Sequence, residues 1–323
     1  MKNEKTFNLN ISENISTFLK KSVATKPNEL VISDTKWKYL VRSVVRGKNI
    51  LMVGPTGCAK TLAAQSVAKQ IGKPNKFFYF NLGSTQDARS ALIGNTHFKK
   101  ETGTLFNEST FVKALRTENA IILLDEISRA HHDAVNILMT VLDPLQRYLR
   151  LDEKEDSELV KIANGVTFIA TANIGNGYTA TKIMDRALLD RFPVKIEMTP
   201  LNKTEEYNLM IGKFNISDDN IKSVLNSIVE IASHTREQMK LEDGKLTNFL
   251  STRAVVEMTE LLIDGFSLSE IAENAIYPNF ATEGGADSER VYIKQLVQKY
   301  ITTDSPDGYL MNDPLNNKNS TPF

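Results

Sequence analysis

Residues 54 to 61 put Gly54, Pro55, Thr56, Gly57, Cys58, Ala59, Lys60 and Thr61 between an apolar run, Ile50 to Val53, and an amphipathic stretch that opens at Thr61 and takes in Leu62. A strand, a tight loop and a helix start in that order turn backbone N–H groups inward and aim a helix N-terminus at an anion. The spacing therefore predicts a cradle for a polyphosphate. In it Lys60 reaches the β- and γ-phosphates and Thr61 the Mg²⁺. The pattern departs from the usual one at Ala59, which stands where a glycine normally precedes the lysine. The alternative is an ordinary Gly/Pro turn between strand and helix.

A second constellation is Ile121-Ile122-Leu123-Leu124-Asp125-Glu126. Its apolar run lacks polar alternation, as suits a strand buried on both faces of a parallel sheet. The two carboxylates then fall at the strand's carboxyl end, where such sheets bind ligands. There Asp125 holds Mg²⁺ through its water shell and Glu126 polarises the attacking water as general base. Taken alone, the same pair also suits a solvated turn after a core strand. A third run, Val166 to Ala172, ends in the amide of Asn173, which is suited to orienting that water or sensing the terminal phosphate. Asp185 to Phe192 carries Arg186 and Arg191 on a short helical segment, and either can neutralise charge on a transferring phosphoryl group.

In this order the motifs resemble those of AAA+ ATPases, specifically the branch that includes MoxR, CobS-like chelatase subunits, McrB-like motors and the dynein-related ATPases. The resemblance covers about residues 35 to 300. Its most specific piece is Asp125-Glu126-Ile127-Ser128-Arg129-Ala130, close to that branch's D-E-I-N-R-A signature with Ser128 in place of Asn; Leu189-Asp190-Arg191-Phe192 is a second match. The resemblance implies ATP as substrate and Mg²⁺ as cofactor. It makes Lys60 and Thr61 Walker A residues, Asp125 and Glu126 Walker B, and Asn173 sensor 1. Arg191 matches an arginine finger acting on a neighbouring subunit's nucleotide. Arg253, in Ser251-Thr252-Arg253-Ala254, resembles sensor 2, reaching from a helical lid to the γ-phosphate. Arg129 and Arg186 are further intersubunit candidates, with a surface salt bridge the alternative for each. The implied assembly is a ring of identical subunits, a hexamer.

The elements that must position these residues alternate strand and helix from 48 to 200, with strands near 50 to 53, 77 to 81, 121 to 125, 166 to 172 and 194 to 198. That order predicts an α/β fold, a P-loop parallel sheet sandwiched by helices. From Leu201 the pattern turns helical: Ile221, Val224, Leu225, Ile228 and Ala232 form one stripe. Val255, Met258 and Leu262, between a Ser251 cap and a Gly265 stop, form another. The expected organisation is an N-terminal arm (1–33), a large nucleotide-binding domain (34–200), a small helical lid (201–301) and a flexible tail (302–323). Asp34 is read as the cap of a helix with Trp37, Leu40, Val41 and Val44 on one face. Two insertions, His97 to Phe106 and Tyr148 to Ile162, read as hairpins. In the resembling branch such hairpins line a ring's channel or meet substrate, which makes Phe98, Lys99 and Lys100 candidate contacts.

Composition narrows the classes. Lys+Arg 39 against Asp+Glu 39 gives a formal net charge of zero, so no global attraction draws the chain to nucleic acid or an acidic membrane. The single cysteine, Cys58, excludes an internal disulfide and fits a reducing compartment. No apolar run approaches the ~20 residues that span a bilayer, so a cytoplasmic protein is expected. His131-His132-Asp133 is adjacent in sequence and splays around a helix, which disfavours joint metal ligation. Asn202-Lys203-Thr204-Glu205 approximates a guanine-reading motif, yet also reads as a helix opening. The expected partners are other copies of the chain and a protein adaptor or substrate such as a von Willebrand A-type protein. A nucleic-acid-stimulated motor or a nucleotide-gated scaffold are the alternatives.

Overall fold

The computed structural model describes residues 12–99, 103–154, 157–173, 184–241 and 243–303. The chain forms two compact units, Met1–Pro200 and Leu201–Phe323. In the first, chain order runs α1 (Ser12–Ala24), α2 (Asp34–Val45), β1 (Ile50–Val53), α3 (Lys60–Gln70), β2 (Phe77–Asn81), α4 (Ala88–Leu92), β3 (Gly94–Lys99) and β4 (Gly103–Glu108). It continues through α5 (Thr110–Arg116), β5 (Ile121–Asp125), α6 (His132–Leu142), β6 (Tyr148–Leu151), β7 (Glu158–Lys161), β8 (Thr167–Ala172), α7 (Arg186–Asp190) and β9 (Val194–Glu197).

The unbroken apolar runs become a five-stranded parallel sheet, ordered β2-β5-β8-β1-β9. Successive side chains of one strand point to opposite faces. Ile122, Leu124, Phe168 and Ala170 thus meet Phe111 of α5 and Leu138 of α6. Their alternates Ile121, Leu123 and Ile169 meet Leu40 of α2 and Ala64 and Val67 of α3. Fully burying each Leu or Ile stabilises by about 1.5–3 kcal/mol. With β8 buried along its whole length, the sheet has no wet face at its centre.

Register brings the strand ends together. Val53 pairs with Ala172 and Asn81 with Asp125. The chain leaves β1, β2, β5 and β8 at one edge of the sheet, where Gly54 N donates to Ala172 O at 3.2 Å and Leu82 N to Asp125 O at 2.9 Å.

Two local readings change. Residues 12–24 fold as α1, which their weak patterning does not signal; Trp37 Nε1 donates to Ser22 O at 2.9 Å and secures it. The cap of α2 is Ser33, whose Oγ accepts from Lys36 N at 3.3 Å, and Asp34 is the first helical residue. Both insertions are antiparallel hairpins, β3 with β4 and β6 with β7. The first begins at Gly94, three residues before His97, because pairing extends to Gly94 and Glu108. Lys100 lies outside the described residues.

The second unit is helical: α8 (Lys203–Phe214), α9 (Asp219–Lys240), α10 (Thr252–Ile263), α11 (Leu268–Ile271) and α12 (Glu289–Thr303). Leu225, Ile228 and Ala232 of α9 pack with Val255, Met258 and Leu262 of α10 in its core. Asn202 and Glu205 form a reciprocal capping box at the start of α8, so this motif is a helix start. Ser251 caps α10, and Gly265 follows it at φ +94°. Arg236 grips Glu206 through two bonds of 2.9 Å, with both side chains buried. The tail from 304 to 323 lies outside the described residues.

Candidate active site

Gly54 leaves β1 at φ +151°, and a Cβ there would lie 2.1 Å from Met198 O. Only glycine lets the loop pass the exit of β9 this closely. At the far end Ala59 sits at φ 56°, ψ 26° and starts α3. That left-handed conformation costs a non-glycine residue roughly 1–2 kcal/mol. The departure from the usual glycine therefore falls where the backbone most favours one. Lys60 follows and is buried, its Nζ donating to Gly54 O at 2.9 Å and Pro55 O at 2.7 Å. Burial pushes its pKa below the ordinary lysine value, while nearby Cys58, Asp125 and Glu126 oppose the shift. An ammonium and the N-terminus of an 11-residue helix thus share one concave loop.

Across from the loop, hydroxyls hold Asp125. Its Oδ2 accepts from Thr61 Oγ1 at 3.3 Å and from Tyr79 Oη at 3.0 Å. Its Oδ1 accepts from Thr171 Oγ1, which in turn accepts from Glu126 N at 3.0 Å. Glu126 lies at φ 56°, ψ 40°, and this left-handed turn carries its side chain off the line of β5. Its Oε2 is 3.3 Å from Arg129 Nη1, so Arg129 makes a salt bridge inside its own chain. Asn173 follows β8 directly and is half-buried.

The other arginines are placed differently. Arg191 ends α7 with its Nη2 at 3.1 Å from Asp143 Oδ2 and its Nη1 donating to Ala187 O at 3.1 Å. Its carbonyl accepts from Asn49 Nδ2 at 2.9 Å. Arg186 is exposed at the start of α7, and Arg253 is exposed on the first turn of α10 in the second unit. His131 caps α6, accepting from Asp133 N at 3.4 Å, while His132 Nδ1 faces Asn136 Nδ2 at 2.7 Å. The two rings serve separate contacts.

Residues 49–192, from just before β1 to just past α7, match the family model described as AAA domain (dynein-related subfamily). A protein of Thauera aromatica named "Putative chaperone BssE" is 30% identical over 227 residues, 69% of this chain and 72% of that protein. The chain belongs to the AAA+ ATPase family. The Lon protease homolog, mitochondrial 1, of Dictyostelium discoideum is 31% identical over 244 residues, 68% of this AAA+ chain and 24% of that protein. The AAA+ chain thus spans about a quarter of that relative's length. A solved "putative ATPase" from Cytophaga hutchinsonii is 18% identical, with coverage of 90% of this chain and 97% of that one and a TM-score of 0.44. Among the described residues, no helix is long and apolar enough to cross a membrane.

The site of this AAA+ ATPase fits a magnesium-bound nucleoside triphosphate. The buried Lys60 ammonium inside a loop that ends on a helix N-terminus suits a polyphosphate. The oxygen-only pair of Thr61 and Asp125 suits a hard cation such as Mg²⁺. Sequence reasoning missed Tyr79, Thr171 and Asp143. Tyr79 breaks a run of phenylalanines in β2, and Thr171 is a hydroxyl inside a buried apolar strand; both were visible as anomalies. Asp143 carries no such signal, because its pairing with Arg191 depends on how α6 and α7 pack.

Proposed function

We propose that this AAA+ ATPase works as a ring of identical subunits, a hexamer in the manner of its MoxR- and CobS-like resemblance, and spends ATP on remodelling a protein partner. The observation that carries the ATP-hydrolysing part of this reading is the chain of contacts Thr61–Asp125–Thr171–Glu126 facing the Lys60 loop; the ring and the protein partner rest on the family resemblance. That chain of contacts joins a phosphate cradle to two carboxylates with different neighbours, one for each task.

In this reading Gly54 to Leu62 wrap the phosphates and Lys60 offsets their charge. Asp125 and Thr61 would hold Mg²⁺, which supplies neutralisation of the phosphate oxygens. Glu126 takes the proton of the attacking water, and Asn173 orients that water. Arg253 reads the γ-phosphate, and Arg191 of a neighbouring subunit meets the charge that develops in the transition state. Arginine fingers of this kind are worth about 10³ to 10⁵ in rate. Arg129 lies 3.3 Å from its own Glu126, and both it and Arg186 remain intersubunit candidates.

A protein partner, a von Willebrand A-type adaptor among the candidates, is favoured by the even balance of charge and by the name of the Thauera aromatica relative. The test is a pull-down with Glu126→Gln in ATP and magnesium, a variant expected to bind nucleotide and stay assembled without turnover. Retention of a protein supports the reading. Retention of DNA, with stimulation of the wild type by DNA, overturns it in favour of a McrB-like motor.

A further inference from the structure

The two carboxylates of the site are each met by a residue of β2 or of the loop that leaves it. Tyr79 lies on the edge strand, on the face that Phe77 shares, while Phe78 and Phe80 pack into the opposite core. Although the residue is 47% exposed, its hydroxyl donates to Asp125 Oδ2 at 3.0 Å, the same oxygen that accepts from Thr61. An exposed aromatic ring on a strand edge needs no special reason; a hydroxyl aimed at a site carboxylate does. Tyrosine is the residue that spans the distance from the edge strand with an apolar ring and still ends in a donor.

Gly83 lies just beyond β2. Its φ is outside the left-handed region, so its backbone does not demand glycine. What excludes a side chain is Glu126: a Cβ on Gly83 would lie 2.3 Å from Glu126 Oε2 and 3.0 Å from Glu126 Cβ. The contact with Cβ cannot be relieved by rotating the end of the glutamate alone. Asn81 Oδ1 accepts from Gly83 N at 2.9 Å and holds the loop in this position.

We infer that β2 and its exit loop position both acids independently, Tyr79 orienting Asp125 toward the metal's water shell and Gly83 leaving the space in which the Glu126 carboxylate stands. The inference rests on the nucleotide-site reading above. Both are positioning residues, because neither touches the reacting atoms. Removing a partner that orients a metal-site carboxylate costs 10- to 100-fold in metal affinity. Displacing a catalytic group by about 1 Å costs on the order of 10² in rate.

The experiment measures two quantities for the wild type, Tyr79→Phe and Gly83→Ala. One is the magnesium dependence of ADP binding, by calorimetry; the other is ATP turnover at saturating magnesium. Tyr79→Phe keeps the ring and is expected to raise the magnesium needed for half-maximal binding at least about 10-fold, while ADP binding without magnesium is unchanged. Gly83→Ala is expected to lower turnover on the order of 10² with the magnesium dependence of ADP binding unchanged. This separation is what a general loss of stability does not produce, and thermal melts of all three proteins accompany it. If the wild type does not bind ADP with magnesium, the reading of the site fails. If the wild type binds and the variants match it, or both variants lose both properties together with their melting temperature, the positioning inference is overturned while the site stands.

Discussion

Arg191 is tied to Asp143 of its own chain, with Nη2 3.1 Å from Oδ2. The other oxygen of Asp143 accepts from Leu145 N at 2.9 Å and Gln146 N at 3.1 Å. Those backbone bonds, ahead of the charge of Arg191, hold the Asp143 carboxyl below the usual carboxylate range. Arg191 is thus anchored at α7, the side chains of the pair only 24% and 16% exposed, with its Nε buried and without a hydrogen-bond partner among the described residues. To act on a neighbour's nucleotide, Arg191 would have to give up this pairing.

If Arg191 acts in trans, Arg191→Ala and Glu126→Gln are each inactive and their mixture is not. In random rings about a quarter of the interfaces pair an intact Glu126 with an intact Arg191. Turnover measured after mixing and reassembly is therefore expected to recover a fraction of the wild-type rate. Flat activity in well-mixed rings assigns Arg191 to its own chain.

Thr171 links the two acids, donating to Asp125 and accepting from the backbone of Glu126. Thr171→Val keeps the shape of a buried strand residue but leaves Glu126 N without this acceptor, a cost of about 1–3 kcal/mol. Urea unfolding is expected to register that loss together with a fall in turnover. Thr171→Ser, which restores the hydroxyl, is expected to recover both.

The lowered pKa of Lys60 sets a sign for pH. Between that lowered value and 10.5 the unfolded chain binds more protons at this site than the folded one, so the residue's contribution to stability grows as pH rises through the interval. Nucleotide binding runs the other way, because it needs the ammonium. Affinity for ADP, followed by calorimetry on the alkaline side of neutrality, is expected to fall before ordinary lysines titrate. Lys60→Arg, which stays charged, is expected to flatten that fall.

Ala59 carries its left-handed backbone at a cost of roughly 1–2 kcal/mol, and Ala59→Gly removes it. The greater freedom of glycine in the unfolded chain takes back about 0.5–1 kcal/mol. A net gain of about 0.5–1 kcal/mol is expected in the unfolding of the first unit. A loss of stability on this substitution counts against a left-handed Ala59.

In the second unit Glu206 is fully buried and bonded twice to Arg236, whose Nε also donates to Leu250 O at 2.7 Å. Glu206→Ala leaves a buried guanidinium without its counter-ion, a loss of about 3–5 kcal/mol. Chemical unfolding of the full chain is expected to show this unit melting first.

Much of this protein follows from its sequence alone. The runs Ile121 to Leu124 and Phe168 to Ala172 have no polar alternation, as suits a doubly covered parallel strand. Gly54, Lys60 and Thr61 sit at fixed offsets along one turn of chain. Local spacing of this kind sets strands, helices and the phosphate loop because each depends on neighbours a few residues away. The tertiary structure decided which side chains meet across elements. Asp125 finds Tyr79 at a separation of 46 residues and Thr171 at 46, and Glu126 requires the bare backbone of Gly83. Those contacts come from strand order and register, which bring β2 and β8 to either side of β5. No spacing along the chain encodes them, and the placement of Arg191 on Asp143 has the same origin.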